Sequence, residues 1–502
     1  MFAELAALIS LASLALGWAT DVSPTNPFGL SGPGYVPNAT LGPPLELYHE
    51  FYDHWPTGVA VSKSGRLFAN FPVQNVINFT VGEITSGTTE AAFPNLTYNQ
   101  PPSLLNTTNP QLSAGYLQYL ISVQSVVVDP KDRLWLLDTG RPQVADIQPY
   151  ASGAGQKLVG VDLTTNTTFK VITFPPTVAY PDTLLNDVRF DLRPNVTASG
   201  EGIAYITDSS DEGRNGIIIV DLGTGESWRH LDRDASVMGD PSWLGVYDGV
   251  PFTPIRAMDS AITPGAYYRF TTGADGIALS ADGEYLYYTP LSSRRFYRVP
   301  TALLRVPPSA QNPSAAFEAI AGVEFLGQHG SHADGLETSN DGTIWVTAPE
   351  QDAIFSYNPT TRILSPFVRD PRIQWCDTLS IGEDGYMYFT SNQFTRQPQL
   401  NNGTDYRIKP FAVFRVQLPN NASKITEKGE CKVEADSGGD DFSSFIAPER
   451  HHTVPAGRRS EQEAHAFDQL GPRSECLRGG DQLRIPAQQS SSVQLEDSIE
   501  RR

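Results

Sequence analysis

Six times along this chain the same short phrase recurs: an apolar strand, a tight polar turn and a second apolar strand. It reads TGVAVSKSGRLFANF from Thr57, QSVVVDPKDRLWLLD from Gln124 and NDVRFDLRPNVTASGEGIAYITD from Asn186. The later copies are DGIALSADGEYLYYT from Asp275, DGLETSNDGTIWVTA from Asp334 and DTLSIGEDGYMYFTS from Asp377. Alternating or fully apolar strands joined by Gly, Asp, Asn or Lys turns are β-hairpins. A hairpin that cannot bury both faces alone must stack on its copies, so repetition predicts a closed array. For hairpin repeats in a chain of 502 residues the compatible array is an all-β, six-bladed β-propeller.

The predicted propeller spans residues 45–425. The sixth repeat is followed by only one further strand, FAVFRVQL (Phe411 to Leu418), and is one strand short of a four-stranded blade. LELYHEF (Leu45 to Phe51), just ahead of the first repeat, is the strand expected to complete it and close the ring without an exposed edge. The longest interval, MGDPSWLGVYDGVPFTPIRAMDSAITPGAYYRF, separates repeats three and four and is expected to cover the channel mouth.

The flanks differ from the repeats. Leu5 to Leu16 is nearly all apolar and is followed by Gly17-Trp18-Ala19, so residues 1–19 read as a signal peptide, with Glu4 atypical for its charged end. Eight Asn-x-Ser/Thr acceptors (Asn38, Asn78, Asn95, Asn106, Asn166, Asn195, Asn402 and Asn421) add to the expectation of a secreted, extracellular glycoprotein. Residues 20–44 form a Pro/Gly-rich coil. From about residue 432 aromatics nearly vanish and charge rises, which predicts a disordered tail over 432–502. Of the three cysteines, Cys376 and Cys431 are the expected pair, because Cys476 lies in that tail. A net charge of −20 excludes a phosphate-binding surface and so a nucleic-acid partner. No segment beyond the leader is long and apolar enough for a membrane span.

Set in register, the repeats place one residue immediately before each first strand: Thr57, Gln124, Asn186, Asp275, Asp334 and Asp377. In a propeller these positions form a ring at one mouth of the channel. Two readings stay open. Asp and Asn ahead of a strand cap turns through their own side chains. A ring of carboxylates and amides also suits a small-molecule ligand, with Gln124, Asn186, Asp275, Asp334 and Asp377 as candidates. Asn186, Asp275, Asp334 and Asp377 are the oxygen donors that a Ca²⁺ ion would use, or an organic ammonium group. Clustered like charges are destabilising unless a cation bridges them, which keeps binding competitive with capping. His332, in GQHGSHAD beside Asp334, is the candidate proton shuttle, and His332 with Asp334 is the candidate catalytic pair; His329 three residues earlier forms a weak metal-like spacing. Arg294 and Arg295 are expected to anchor a turn. The motifs of serine hydrolases, phosphate-binding loops and zinc proteases are absent.

In these stretches, from WPTGVAVSKSGRLFANFP through HADGLETSNDGTIWVTAPEQDAI to CDTLSIGEDGYMYFTSNQ, the sequence resembles the yellow/major royal jelly protein family, in a fungal-type form. The resemblance runs from about Leu45 to Leu418. It implies a secreted six-bladed propeller whose relatives include dopachrome-converting enzymes, biogenic-amine binders and nutritive or structural proteins. Related lactonase-like propellers hold a divalent ion through Glu, Asn and Asp at the channel mouth; Asn186, Asp275, Asp334 and Asp377 sit similarly, and no residue here matches their Glu. The expected function is binding of a small aromatic or amine-bearing molecule at the channel mouth, with isomerase or tautomerase chemistry in pigment or secondary metabolism. The alternatives are a metal-dependent lactonase-like hydrolase and a non-catalytic secreted binding or structural protein.

Overall fold

A computed structural model describes residues 40–425 apart from 75–76, 106–108, 145–147, 253–269 and 402. The leader, most of the N-terminal coil and the tail lie outside the described residues. Six four-stranded antiparallel sheets follow one another along the chain, each strand bonded to the next in sequence except the outer strand of the sixth. The first strands of the six sheets, Gly58–Val61, Val123–Val128, Leu185–Asp191, Ala274–Leu279, Leu336–Thr338 and Cys376–Ile381, contact their neighbours in cyclic order around a central channel. The fold is the expected six-bladed propeller. The described residues include only two α-helices, Thr301–Leu304 and Ala315–Ala321, in the connection between the last two strands of blade 4.

The N-terminal strand closes the ring as its sequence predicts. Glu46–Phe51 pairs antiparallel with Phe411–Gln417, in register from Glu46 opposite Arg415 to Phe51 opposite Phe411, and so supplies the outer strand of blade 6. Arg415 fastens this seam, bonding Glu46 at 2.8 Å and lying over the Tyr386 ring at 4.3 Å.

Burial explains why the hairpins stack. Gly216–Asp221 (GIIIVD) is buried along its whole length because both faces are covered by neighbouring blades. Thr167–Thr173, an outer strand, is mostly exposed. The apolar clusters lie between blades: Trp135 and Leu137 of blade 2 pack on Val188, Phe190 and Ile206 of blade 3. Ile217 and Ile219 of blade 3 pack on Ile277 and Tyr288 of blade 4. Phe51 and Phe411 of blade 6 pack on Val59 and Phe71 of blade 1. Each fully buried residue of this kind contributes about 1.5–3 kcal/mol, which a lone hairpin forfeits.

Cys376 is a free thiol with no solvent exposure, in the apolar cluster between blades 5 and 6. The expected pairing with Cys431 is not seen, and Cys431 lies outside the described residues. Five of the eight acceptor asparagines are described, Asn78, Asn95, Asn166, Asn195 and Asn421, and all five are exposed. No helix among the described residues is long and apolar enough to cross a membrane.

Candidate ligand-binding site at the channel mouth

A β-bulge creates the ring. In blade 4 the pairing runs Ala274 to Pro290 and then jumps to Ile277 with Tyr288, leaving Asp275 and Gly276 out of register. Blades 3 and 6 carry the same irregularity at Asn186/Asp187 and Asp377/Thr378, and blade 2 at Gln124. A bulge re-aims a side chain without ending the sheet. In these four blades it turns one residue toward the cavity; Thr57 and Asp334 lie just ahead of first strands that pair without a shift. The glycine after two of the aspartates is required by the next blade: a Cβ on Gly276 would lie 2.3 Å from the Asp334 carbonyl oxygen, and one on Gly335 would lie 2.3 Å from that of Asp377.

Recurrent threonines on the second strands hold the bulges in place. The Thr347 hydroxyl accepts hydrogen bonds from the Asp334 and Gly335 N–H groups at 2.8 and 3.1 Å. Thr207 donates to the Asp275 carbonyl at 2.9 Å and Thr390 to that of Thr57 at 3.1 Å, each crossing to the next blade.

Thr57, Gln124, Asn186, Asp275, Asp334 and Asp377 all line one cavity of about 190 Å³. The ring is polarised. Blades 1 to 3 contribute a hydroxyl and two amides, and blades 4 to 6 contribute three carboxyls. Trp55, Phe270 and Phe394 form an aromatic collar in the same cavity, with Phe394 stacked on Trp375 at 4.5 Å. Phe270 ends the long interval between repeats three and four, so that interval does reach the mouth; its residues 253–269 lie outside the described residues.

The three acids are buried, at 5%, 7% and 9% exposure for Asp275, Asp334 and Asp377. Among the described residues no backbone N–H donates to their carboxyl oxygens. The bonds come from side chains: Trp375 Nε1 to Asp334 at 2.5 Å, Asn392 Nδ2 to Asp377 at 2.7 Å and a long one from the Thr378 hydroxyl. They are not turn caps. Burial, and then the neighbouring carboxylates, push Asp275 and Asp377 well above the usual carboxylate range. Burial pushes Asp334 up to about 7, against the pull of the Trp375 N–H. Asp187, one place after Asn186, accepts from the Ser125 hydroxyl and from Arg189 at 2.9 Å each.

The oxygen donors suit a hard cation in type. Among the described residues no group of three or more His, Cys, Asp or Glu is disposed to hold a metal ion; the predicted oxygen set also includes the amide of Asn186, which lines the same cavity.

The model of the Major royal jelly protein family matches residues 121–424, which covers blades 2 to 6. The chain belongs to that family. Major royal jelly protein 1 of Apis mellifera is 27% identical over 273 residues, 48% of this chain and 57% of that relative. Protein yellow of Drosophila madeirensis is 26% identical over 246 residues, 46% of this chain and 36% of the relative. The chain thus spans little more than half of the one and about a third of the other. Among solved structures, a calcium-binding regucalcin from Agrobacterium tumefaciens aligns over 76% of this chain and 96% of its own, at 12% identity and a TM-score of 0.45. A luciferin-regenerating enzyme aligns over 77% and 98%, at 11% identity and a TM-score of 0.43.

Within this major royal jelly family propeller, the histidines lie away from the cavity. His332 is fully buried behind Trp375, 4.8 Å between ring centroids, and packs against Trp243 and Phe252. Neither of its ring nitrogens has a hydrogen-bond partner, Nδ1 is 3.9 Å from Glu350, and burial lowers its pKa. It is not among the residues that line the cavity. His329 meets the Thr289 hydroxyl at 3.2 Å, and burial lowers it to about 3. Arg294 pairs with Glu350 at 2.5 Å and Arg295 with Asp240 at 3.0 Å, as anchors of neighbouring loops.

Several functional residues escaped the sequence reading. Asp187 was hidden one place after the aligned Asn186. Trp375 and Asn392 flank the sixth repeat with no periodic signal. The threonines did leave one: ITD, YTP, VTA and FTS end the second strand of repeats three to six.

Proposed function

We propose that this protein is an extracellular propeller that binds a small aromatic molecule carrying an amine at the channel mouth, and that the ring acids can tautomerise such a ligand in the manner of dopachrome conversion. The observation that carries the reading is the pairing of three buried, mutually destabilised carboxyls with an aromatic collar in one cavity. An ammonium group relieves the repulsion between the acids. A flat ring fills the space between Trp55, Phe270 and Phe394, and cation–π attraction adds about 0.5–2 kcal/mol. The neutral side of the ring, Thr57, Gln124 and Asn186, offers hydrogen bonds to hydroxyl or carbonyl groups at the far end of the ligand.

Turnover requires one ionised and one protonated carboxyl side by side. The ionised one takes a proton from the carbon next to the nitrogen, and its protonated neighbour returns one to a carbonyl oxygen; the double bonds shift and no co-reactant is consumed. Asp275 and Asp334, which line the same cavity, supply that pair. The leader sequence and the exposure of the five described acceptor asparagines support the extracellular assignment.

Calorimetry with dopamine and tyramine, alongside phenol as the uncharged control, tests the binding. The expected result is micromolar affinity for the amines, at least about tenfold weaker binding of phenol, and loss of amine binding in the Asp275→Asn/Asp334→Asn double variant. Dopachrome decay followed by absorbance tests turnover. The reading fails if neither amine binds and dopachrome decays at its spontaneous rate.

A further inference from the structure

We infer that the propeller is latched shut by a buried imidazolium–carboxylate pair, His49 with Glu90, and that this seam loosens as pH rises above neutral. The latch is independent of what the ring cavity binds.

The pair lies where the ring closes. Glu46–Phe51, the outer strand of blade 6, meets Glu90–Ala92, the outer strand of blade 1, through the His49 side chain. His49 Nε2 is 2.6 Å from a Glu90 carboxyl oxygen, and Nδ1 is 2.8 Å from the Ser86 carbonyl oxygen. His49 is fully buried and the Glu90 side chain is 7% exposed. A carbonyl oxygen only accepts, so Nδ1 carries a hydrogen. An ionised carboxyl also only accepts, so a second hydrogen lies between Nε2 and Glu90. A neutral imidazole beside a carboxylate has one hydrogen for these two bonds. The pair therefore holds two, and so short a bond suits imidazolium donating to carboxylate.

The surroundings leave that second proton with the pair. His54 Nδ1 lies 3.5 Å from the other Glu90 oxygen, and neither His54 ring nitrogen has a hydrogen-bond partner. Phe51 meets the His49 ring edge-on at 4.4 Å, while Phe71 and Phe79 lie 4.7 and 4.3 Å from the His54 ring. Val413 stands opposite His49 in blade 6. In the turn of blade 1 the hydroxyls of Thr85, Ser86 and Thr89 bond one another. Glu83 is paired with Arg66 and Glu46 with Arg415, Glu50 accepts from the exposed Tyr52, and Asp53 is exposed. Burial would raise Glu90, yet its contacts with His49 and His54 hold it below the usual carboxylate range.

The sign follows from counting protons. Above about pH 6.5 an unfolded histidine and glutamate hold one proton or fewer between them, against two in the latch. Unfolding then releases a proton, and stability falls as pH rises. Below about pH 4.3 the unfolded glutamate takes up a proton that the lowered Glu90 refuses, so stability falls there as well. The latch is tightest between those values. It also reaches the channel mouth: the connection leaving Phe51 carries His54 and then Trp55 and Thr57, which line the ring cavity.

NMR of the full chain with ¹⁵N-labelled histidine tests the proton. At pH 7 one buried imidazole should carry hydrogens on both nitrogens, and that signal should disappear in His49→Gln. Hydrogen exchange tests the seam. After correction for its intrinsic pH dependence, exchange at residues 46–51 should speed up from pH 7 to pH 8 by up to about tenfold relative to Gly216–Asp221. In Glu90→Gln it should change equally in both strands. A neutral His49 at pH 7 overturns the pair, and a seam that tracks the reference strand in the native protein overturns the latch. Should His49→Gln fail to fold, His54→Gln distinguishes the two neighbouring signals, and the native exchange profile still decides.

Discussion

The two ends of the same inner strands use aspartate in opposite ways. At the far end, Asp129 follows the second repeat's first strand. Its carboxylate accepts from the backbone N–H groups of Lys131 and Arg133, from the Arg133 guanidinium at 2.7 Å and from Trp135 Nε1 at 2.8 Å. Asp191 is bound to Arg193 in the same way. These acids line a wide cavity of about 1140 Å³, larger than the ring cavity, and their charges are already answered. At the ring end, Asp275, Asp334 and Asp377 have no arginine and no backbone cap among the described residues. Size of cavity is thus the wrong guide to function here. Unanswered charge is the better one, because an acid that the fold leaves unsatisfied is held for something the fold does not contain.

Removing a carboxylate should therefore hurt at one end and help at the other. Asp129→Asn strips a buried hydrogen-bond hub of its charge and should cost about 2–3 kcal/mol in urea unfolding, with amine binding retained. A smaller effect of opposite sign is expected at the ring. The folded-state pKa of Asp334 is raised, so its protonated form favours the fold, and the stability it contributes is lost as pH rises from the unfolded value near 4 through about 7. Asp334→Asn mimics the protonated form and still accepts from Trp375. It should raise the melting temperature at pH 8 by about 2 °C or more and change it little at pH 4. Equal destabilisation by both substitutions at pH 8 would erase the distinction between the two ends.

The fold was legible because its signal is repeated. Six hairpin phrases, each too apolar to stand alone, define blades, and the missing strand of the sixth named its own replacement in LELYHEF. The ring was half legible for the same reason: register aligned Thr57, Gln124, Asn186, Asp275, Asp334 and Asp377 correctly into one cavity. Register could not tell a cap from an uncapped acid, since Asp129 and Asp275 read alike in sequence. That difference is made by what packs alongside, Arg133 in one case and Asp334 in the other. The surroundings of His332 were not legible either: two positions from Asp334 in sequence, it packs against Trp375, Trp243 and Phe252, in a loop whose course no periodicity reports.

The smallest expected effect is also the most discriminating. Trp375 Nε1 is a neutral donor to Asp334 and favours its ionised form, while the indole stacks between Phe394 and His332. Trp375→Phe keeps a ring in the stack and deletes the donor. A hydrogen bond to a charged group contributes about 1.5–3 kcal/mol, and one pKa unit corresponds to about 1.4 kcal/mol, so Asp334 should titrate about one unit higher. Tyramine affinity would then be reduced near pH 7 by up to about tenfold and less at higher pH, where Asp334 is ionised in either protein. A uniform loss across pH would mean that Trp375 acts by packing alone. A displaced midpoint would place the titrating proton on the carboxyl that Trp375 touches, and so mark the ring end as the one whose acids are kept free for a ligand.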